Sequence, residues 1–264
     1  MQRTFGMTMD EQLTCGFHVH VGVESPAEGV AVLDRIRPWL PVILALSANS
    51  PFWQGTDTRF ASYRYQAWGR WPTAGPYDCF HSVEAYRAAV AQLLAAEVCL
   101  DPGMVYFDAR LSDHLPTVEI RIADVCLEAG DAAAVAAVAR ALVQRASSDW
   151  ADGSPADATP TALLRLASWR ASRFGAADHL VHPVTGRLCP AADAVYALLA
   201  HIRTAHPDAD EERRVRRTLL DILNRGTGAA RQRRTLARGA TIEDVIADAV
   251  DRTHARGQMN STSV

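Results

Sequence analysis

His18 and His20 in one stretch, and Glu119 and Arg121 in another, are the residues whose types and spacing offer chemistry in this sequence. An H-x-H pair presents two imidazoles to a divalent metal when both project the same way. Its plain alternative is a pair of half-buried, hydrogen-bonded histidines. Glu119 offers carboxylate oxygens to Mg2+ or Mn2+, and Arg121 offers a planar fork to a carboxylate or phosphate. Here the plain alternative is a set of cross-strand salt bridges. Arg59, Arg64 and Arg70 are interleaved with aromatic residues, a pattern that suits an anionic ligand as well as solvated loop charges.

The elements that must position these residues follow from the spacing. In Thr14–Glu24, Phe17, Val19, Val21 and Val23 alternate with Gly16, His18, His20 and Gly22. That is the period of a strand, with both imidazoles on one face and the apolar set on the other. Pro116–Asp124 repeats the grammar: Val118, Ile120 and Ile122 take the buried face, and Glu119 and Arg121 share the opposite one. Two such strands predict one polar site on one sheet face. Tyr106–Arg110 reads as a third strand, paired with the Glu119 strand across the loop 111–116.

Composition excludes several functions. The chain has 264 residues, 48% apolar and 22% charged, with a net charge of −3, so no nucleic-acid partner is expected. No apolar run approaches the ~18 residues of a membrane span, and the polar start is no signal peptide, so no membrane partner is expected. The five cysteines lack C-x-x-C spacing, which predicts buried free thiols and a cytoplasmic location. All 27 basic residues are arginine. A lysine-free chain has no P-loop lysine, no Schiff-base lysine and no kinase-type lysine.

Along the chain, Ser25 caps a helix that runs to about Arg37, and an apolar helix follows over 39–48. Residues 52–80 predict a long ordered loop that supplies side chains to a site. Ser82 caps a helix to about Val98, and Asp131 caps one to Ala146, followed by a surface loop over Ser147–Ala158. Everything from Thr159 on reads as helical, roughly 160–173, 190–203, 209–225, 229–238 and 242–256, with Gly257–Val264 frayed. The expectation is a single α+β domain over 1–264, its antiparallel sheet in 1–146 and its helical part in 159–256.

Four ordered motifs sharpen this reading: Cys15–Gly22, Leu44–Trp53, Asp57–Arg64 and Thr117–Asp124. With Trp169–Gly175 and Arg225–Arg234, they resemble the carboxylate–amine ligases of the glutamate–cysteine ligase type 2 family across nearly the whole chain. The resemblance implies a glutamine-synthetase-like catalytic fold, with flanking helices and a sheet curved around ATP and Mg2+ or Mn2+. It implies His18 and Glu119 at the metals and Arg121 and Arg64 as catalytic arginines facing carboxylate or phosphate. His20 and Arg59 join Arg64 and Arg121 in the substrate and ATP set. The implied reaction joins glutamate to cysteine or another amine through an acyl phosphate, forming a γ-glutamyl amide. Family members begin with a Gly-x-Glu-Glu-Glu strand upstream, which this sequence does not contain. The chain is therefore expected to be a fragment, a misassigned start or a true short form, completed by a homo-oligomer or a partner that supplies the strand. Two other readings stay open: a non-catalytic remnant binding a small anion or partner chain, and a metal-dependent hydrolase built on His18 and His20.

Overall fold

A computed structural model describes residues 2–156 and 158–254. Its architecture is α+β with small antiparallel sheets. The strands are β1 (Gly16–Gly22), β2 (Phe52–Trp53), β3 (Thr56–Asp57), β4 (Ala109–Leu111), β5 (Thr117–Asp124), β6 (His179–Val181) and β7 (Leu188–Pro190). The main sheet has the order β1-β5-β4, so β5 is central and β1 lies at an edge.

The alternation read from the sequence holds on both long strands. Val118, Ile120 and Ile122 are buried, and Val21 joins the same core. Against this face pack the helices Pro26–Ile36, Leu40–Ser47 and Ala129–Ala151. Leu40–Ser47 is buried at every position, as a helix apolar all round must be. Each buried Ile or Leu contributes about 1.5–3 kcal/mol, so this layer dominates the stability of the sheet. The Ser25 hydroxyl accepts from the Glu28 amide, as the predicted cap requires.

Several boundaries differ from expectation. The stretch over 52–80 is not one loop but a small β2–β3 hairpin followed by the helix Tyr63–Trp68, capped by Ser62. The alanine-rich helix extends through Ala151, so Ser147 to Ala151 of the predicted loop are helical. The Ser82 helix stops at Ala95, and the third strand is shorter and later than 106–110. The purely helical second part is corrected by the β6–β7 hairpin. Gly186, at φ 65, makes the turn that a helix could not contain. Fraying of Gly257–Val264, and the last two residues of the 242–256 helix, lie outside the described residues. Among the described residues no helix is long and apolar enough to cross a membrane. Cys99 and Cys126 are buried free thiols.

The last helices fasten the Asn49–Arg64 segment to the sheet. Within the helix Gly228–Ala237, Ala229 N–H donates to the Ala48 carbonyl, Gln232 donates to Asn49, and Arg233 pairs with Asp57. This approach needs a glycine, because a Cβ on Gly228 would stand 2.0 Å from Asn49 Oδ1. Gly228→Ala is expected to lower stability in urea unfolding by about 1–3 kcal/mol. Gly22→Ala, whose Cβ meets nothing within 4 Å, should change it little.

Candidate functional site

Register carries the site. Across the sheet, His20 on β1 stands opposite Glu119 on β5, and Arg110 on β4 stands opposite Glu119 from the other side. The three side chains therefore share one face, and Arg121, two residues along β5, joins them. Between Phe17 and Val19 the β1–β5 register shifts. His18 consequently faces both Arg121 and Ile122, a bulge that brings its ring toward Glu119.

The carboxylate of Glu119, only 6% exposed, is the hub. Its Oε1 receives Arg121 Nη1 at 2.5 Å and His18 Nδ1 at 3.0 Å, with His20 Nε2 at 3.7 Å. Its Oε2 receives Arg110 Nε at 2.8 Å. Burial pushes the Glu119 carboxyl up, but hydrogen bonds from His18 and Arg110 and the charge of Arg121 outweigh it. The net result holds Glu119 well below the ordinary carboxylate range. His20 is further tied by Nδ1 to the Thr117 hydroxyl at 2.9 Å.

Arg110 was not singled out from the sequence, yet it binds Glu119 and also donates Nη1 to the carbonyls of Pro102, Gly103 and Val105. Counting back across a 111–116 loop would set Arg110 opposite Thr117; the observed pairing of Leu111 with Val118 brings it to Glu119 instead. Arg121, 8% exposed, keeps its Nε buried with no acceptor among the described residues, and its guanidinium lies 5.9 Å from the Tyr106 ring centre.

Arg64 sits one layer beneath. Its Nε donates to Asp124 Oδ1 at 2.5 Å and its Nη2 to the Ile122 carbonyl. Asp124, a second buried acid that sequence reasoning left unassigned, also accepts from Asn49 N–H and from the Ser50 and Ser62 hydroxyls, each at 2.8 Å. Arg59 stands elsewhere. It is exposed, adopts φ 64 and lies with Asp57 and Arg173 at the β2–β3 hairpin. The structure thus brings together His18, His20, Glu119 and Arg121, sets Arg64 beside them, and leaves Arg59 in a separate cluster.

As a seat for a metal, this donor set does not fit by itself. Among the described residues no group of three or more His, Cys, Asp or Glu stands ready to hold a metal ion. Both oxygens of Glu119 already receive guanidinium N–H groups, and a hard cation wants several oxygen ligands. What the face does present is an excess of cationic donors, one of them unsatisfied. Such a surface suits an oxyanion.

Beside this face, Asp108 is buried and accepts from the Tyr65 hydroxyl at 3.0 Å. Burial raises its carboxyl, opposed by the Tyr65 hydrogen bond and the Arg64 charge, to about 7. In the unfolded chain it returns to about 3.9.

The residues 1–262 match the family described as "Glutamate-cysteine ligase family 2". A relative from Paenarthrobacter aurescens is 52% identical over all of this chain and 69% of its own length. A relative from Streptomyces avermitilis is 51% identical over 96% of this chain and 70% of its own. One from Streptomyces coelicolor is 51% identical over 97% and 70%. All three bear names of the form "Putative glutamate--cysteine ligase 2".

Two outcomes are expected. Glu119→Gln removes the anion shared by two guanidiniums, and should cost about 3–5 kcal/mol in chemical denaturation. Asp108 binds its proton more tightly in the folded state, so it withdraws stability as pH rises from about 4 through about 7. Asp108→Asn should flatten that window of the stability–pH profile, measured as denaturation midpoints. Glu119, with the opposite shift, acts only below its ordinary range.

Proposed function

This chain belongs to glutamate–cysteine ligase family 2, and from that premise we propose that it serves an ATP-dependent ligase joining glutamate to an amine. The observation that supports the reading is the spare donor capacity on the β1-β5-β4 face. Arg121 is desolvated and clamped by Glu119, yet its Nε has no acceptor among the described residues. A buried donor without an acceptor costs about 1–3 kcal/mol, and an anionic substrate oxygen would relieve that cost.

In the proposed reaction a carboxylate oxygen of glutamate attacks the γ-phosphorus of ATP. The new O–P bond forms as the bridging P–O bond to ADP breaks. The amine nitrogen of cysteine, or of another amino acid, then attacks the acyl carbon. The bond to the phosphate oxygen breaks, inorganic phosphate leaves with that electron pair, and the nitrogen releases its proton. No enzyme nucleophile is required, which agrees with a chain that has no lysine. Catalysis rests on charge neutralisation and positioning. Arg121 supplies the donor to the phosphoryl or carboxylate oxygens. Glu119 and Arg110 fix its fork, and His18 and His20 line the same face. Mg2+ belongs to this scheme as part of the Mg·ATP substrate.

The test is ADP release by the purified chain with Mg·ATP, glutamate and a panel of amino acids that includes cysteine. Amine-dependent ADP is expected, with Arg121→Gln lowering kcat/KM by about 100-fold or more. Arg121→Lys retains charge without the fork and should remain about tenfold or more below wild type. Glu119→Ala should abolish the signal. Silence with every amine would sink the reading for this chain. The edge position of β1 favours one second reading, a non-catalytic anion binder that gains a strand from a partner. Concentration-dependent self-association together with that silence would select it.

A further inference from the structure

The helix Ala209–Arg225 opens on a run in which Val215 is the one uncharged residue between Glu211 and Arg217. Its buried stripe is Val215, Leu219 and Ile222, so most of these charges stand on its outer faces. Arg213 pairs with Asp210. Glu211 is engaged from two sides, its Oε1 receiving Arg140 Nη2 and, at 3.0 Å, His206 Nδ1. Asp208 caps the helix by accepting the Glu211 amide at 2.7 Å, which holds this turn in place.

Two arginines nearby are left over. Arg216 makes no hydrogen bond or ion pair among the described residues, although Glu212 stands one helical turn before it. Arg203, in the turn Arg203–Ala205 ahead of the helix, makes none either. Both border one cavity of about 330 Å3, whose wall includes Tyr196 and Leu199 of the helix Ala191–Ile202, and His206. The His206 side chain is only 2% exposed. With Nδ1 held by Glu211, Nε2 is the other polar atom of the ring, and it has no hydrogen-bond partner among the described residues. A polar atom on a ring so buried is one that a ligand can satisfy.

Charge decides what that ligand is. His206 also borders a larger cavity, of about 590 Å3, whose wall carries Glu24 and Glu28. Those carboxylates disfavour an anion there, and the Arg145 beside them is taken by Asp149. On the smaller side Arg203 and Arg216 outnumber Glu212, and it forms an ion pair with neither. Guanidinium forks match phosphate oxygens. The volume suits a small molecule, and the Tyr196 ring gives it an apolar wall.

We infer that the cavity between Arg203, Arg216 and His206 binds a phosphate group, as free phosphate or as a small phosphomonoester whose organic part lies against Tyr196. The two guanidiniums donate to its oxygens. His206 Nε2 donates to an oxygen when it carries a proton, and accepts from the O–H of hydrogen phosphate when it does not. The site shares no residue with the β1-β5-β4 face, so its occupation does not rest on the ligase reading.

The experiment is a titration of the purified chain with inorganic phosphate, and separately with phenyl phosphate, followed by the 15N resonances of the histidine rings. Saturable binding is expected, with His206 Nε2 shifting and Nδ1 nearly in place. Tighter binding of phenyl phosphate marks a phosphomonoester site, and equal or weaker binding a seat for free phosphate. Arg216→Gln and Arg203→Gln should each weaken the binding by about tenfold or more, the worth of one charge-assisted hydrogen bond. Arg217→Gln removes the same charge from the same helix outside the cavity, and should bind as wild type does. Arg121→Gln should leave the His206 response intact, which separates this site from the sheet face. Arg203, Arg216 and Arg217 are exposed, and thermal midpoints measured alongside show that the fold is retained. A wild-type His206 Nε2 unmoved by either phosphate would overturn the proposal, and this arm needs no variant to fold. An equal loss in Arg216→Gln and Arg217→Gln would overturn it too, because the helix would then hold phosphate by net charge alone.

Discussion

Two carboxylates buried on one central strand, Glu119 and Asp124 of β5, constrain everything around them. A charge withdrawn from water must be met by donors, or it unfolds the site that holds it. The two are met differently. Glu119 draws its partners from within the sheet: His18 from β1, Arg110 from β4 and Arg121 from its own strand. Asp124 draws its partners from outside: the Asn49 amide, the Ser50 and Ser62 hydroxyls and Arg64. One acid fixes the face of the sheet, and the other fixes what lies beneath it.

The second fastening spreads further than its residues suggest. Asn49 is gripped on its far side by Gln232 and by the close approach of Gly228. Arg233 holds Asp57 and the Phe60 carbonyl, on the segment that leads into Ser62 and Arg64. The last helices thus act on Arg64 through backbone and side-chain hydrogen bonds, without reaching the sheet face themselves. Substitutions there are a stability matter first, because each loosens a segment that neutralises a buried acid.

Function would use the donors that remain once the acids are satisfied. Arg121 Nε is such a remainder, on a guanidinium whose position is set by another of its nitrogens. Rigid forks with one arm uncommitted are a pre-organised means of receiving an oxyanion, since the side-chain entropy has already been lost in folding. This division explains why Glu119 presents itself as a clamp for arginines more readily than as a cation ligand. It also explains why Arg110, bound to three carbonyls as well as to Glu119, reads as a positioning residue.

Periodicity alone determined that His18 with His20, and Glu119 with Arg121, each share a face, because alternation across a strand is a local property of the backbone. It also determined the buried side of β5 and the apolar run Leu40–Leu46 of the next helix, since burial follows hydrophobic pattern wherever that pattern is strong. Resemblance in ordered motifs identified the family, which the match over residues 1–262 bears out. Register was decided only by the tertiary structure. That Arg110 meets Glu119, that a bulge turns His18 toward the same carboxylate, and that Arg59 falls to a different cluster all depend on pairings between distant segments. The β6–β7 hairpin escaped the sequence reading for a related reason: three-residue strands carry too little pattern to compete with the helices around them. The role of Asp124 was invisible for the same physical cause, because its donors arrive from 60 to 75 positions away and no local spacing records them.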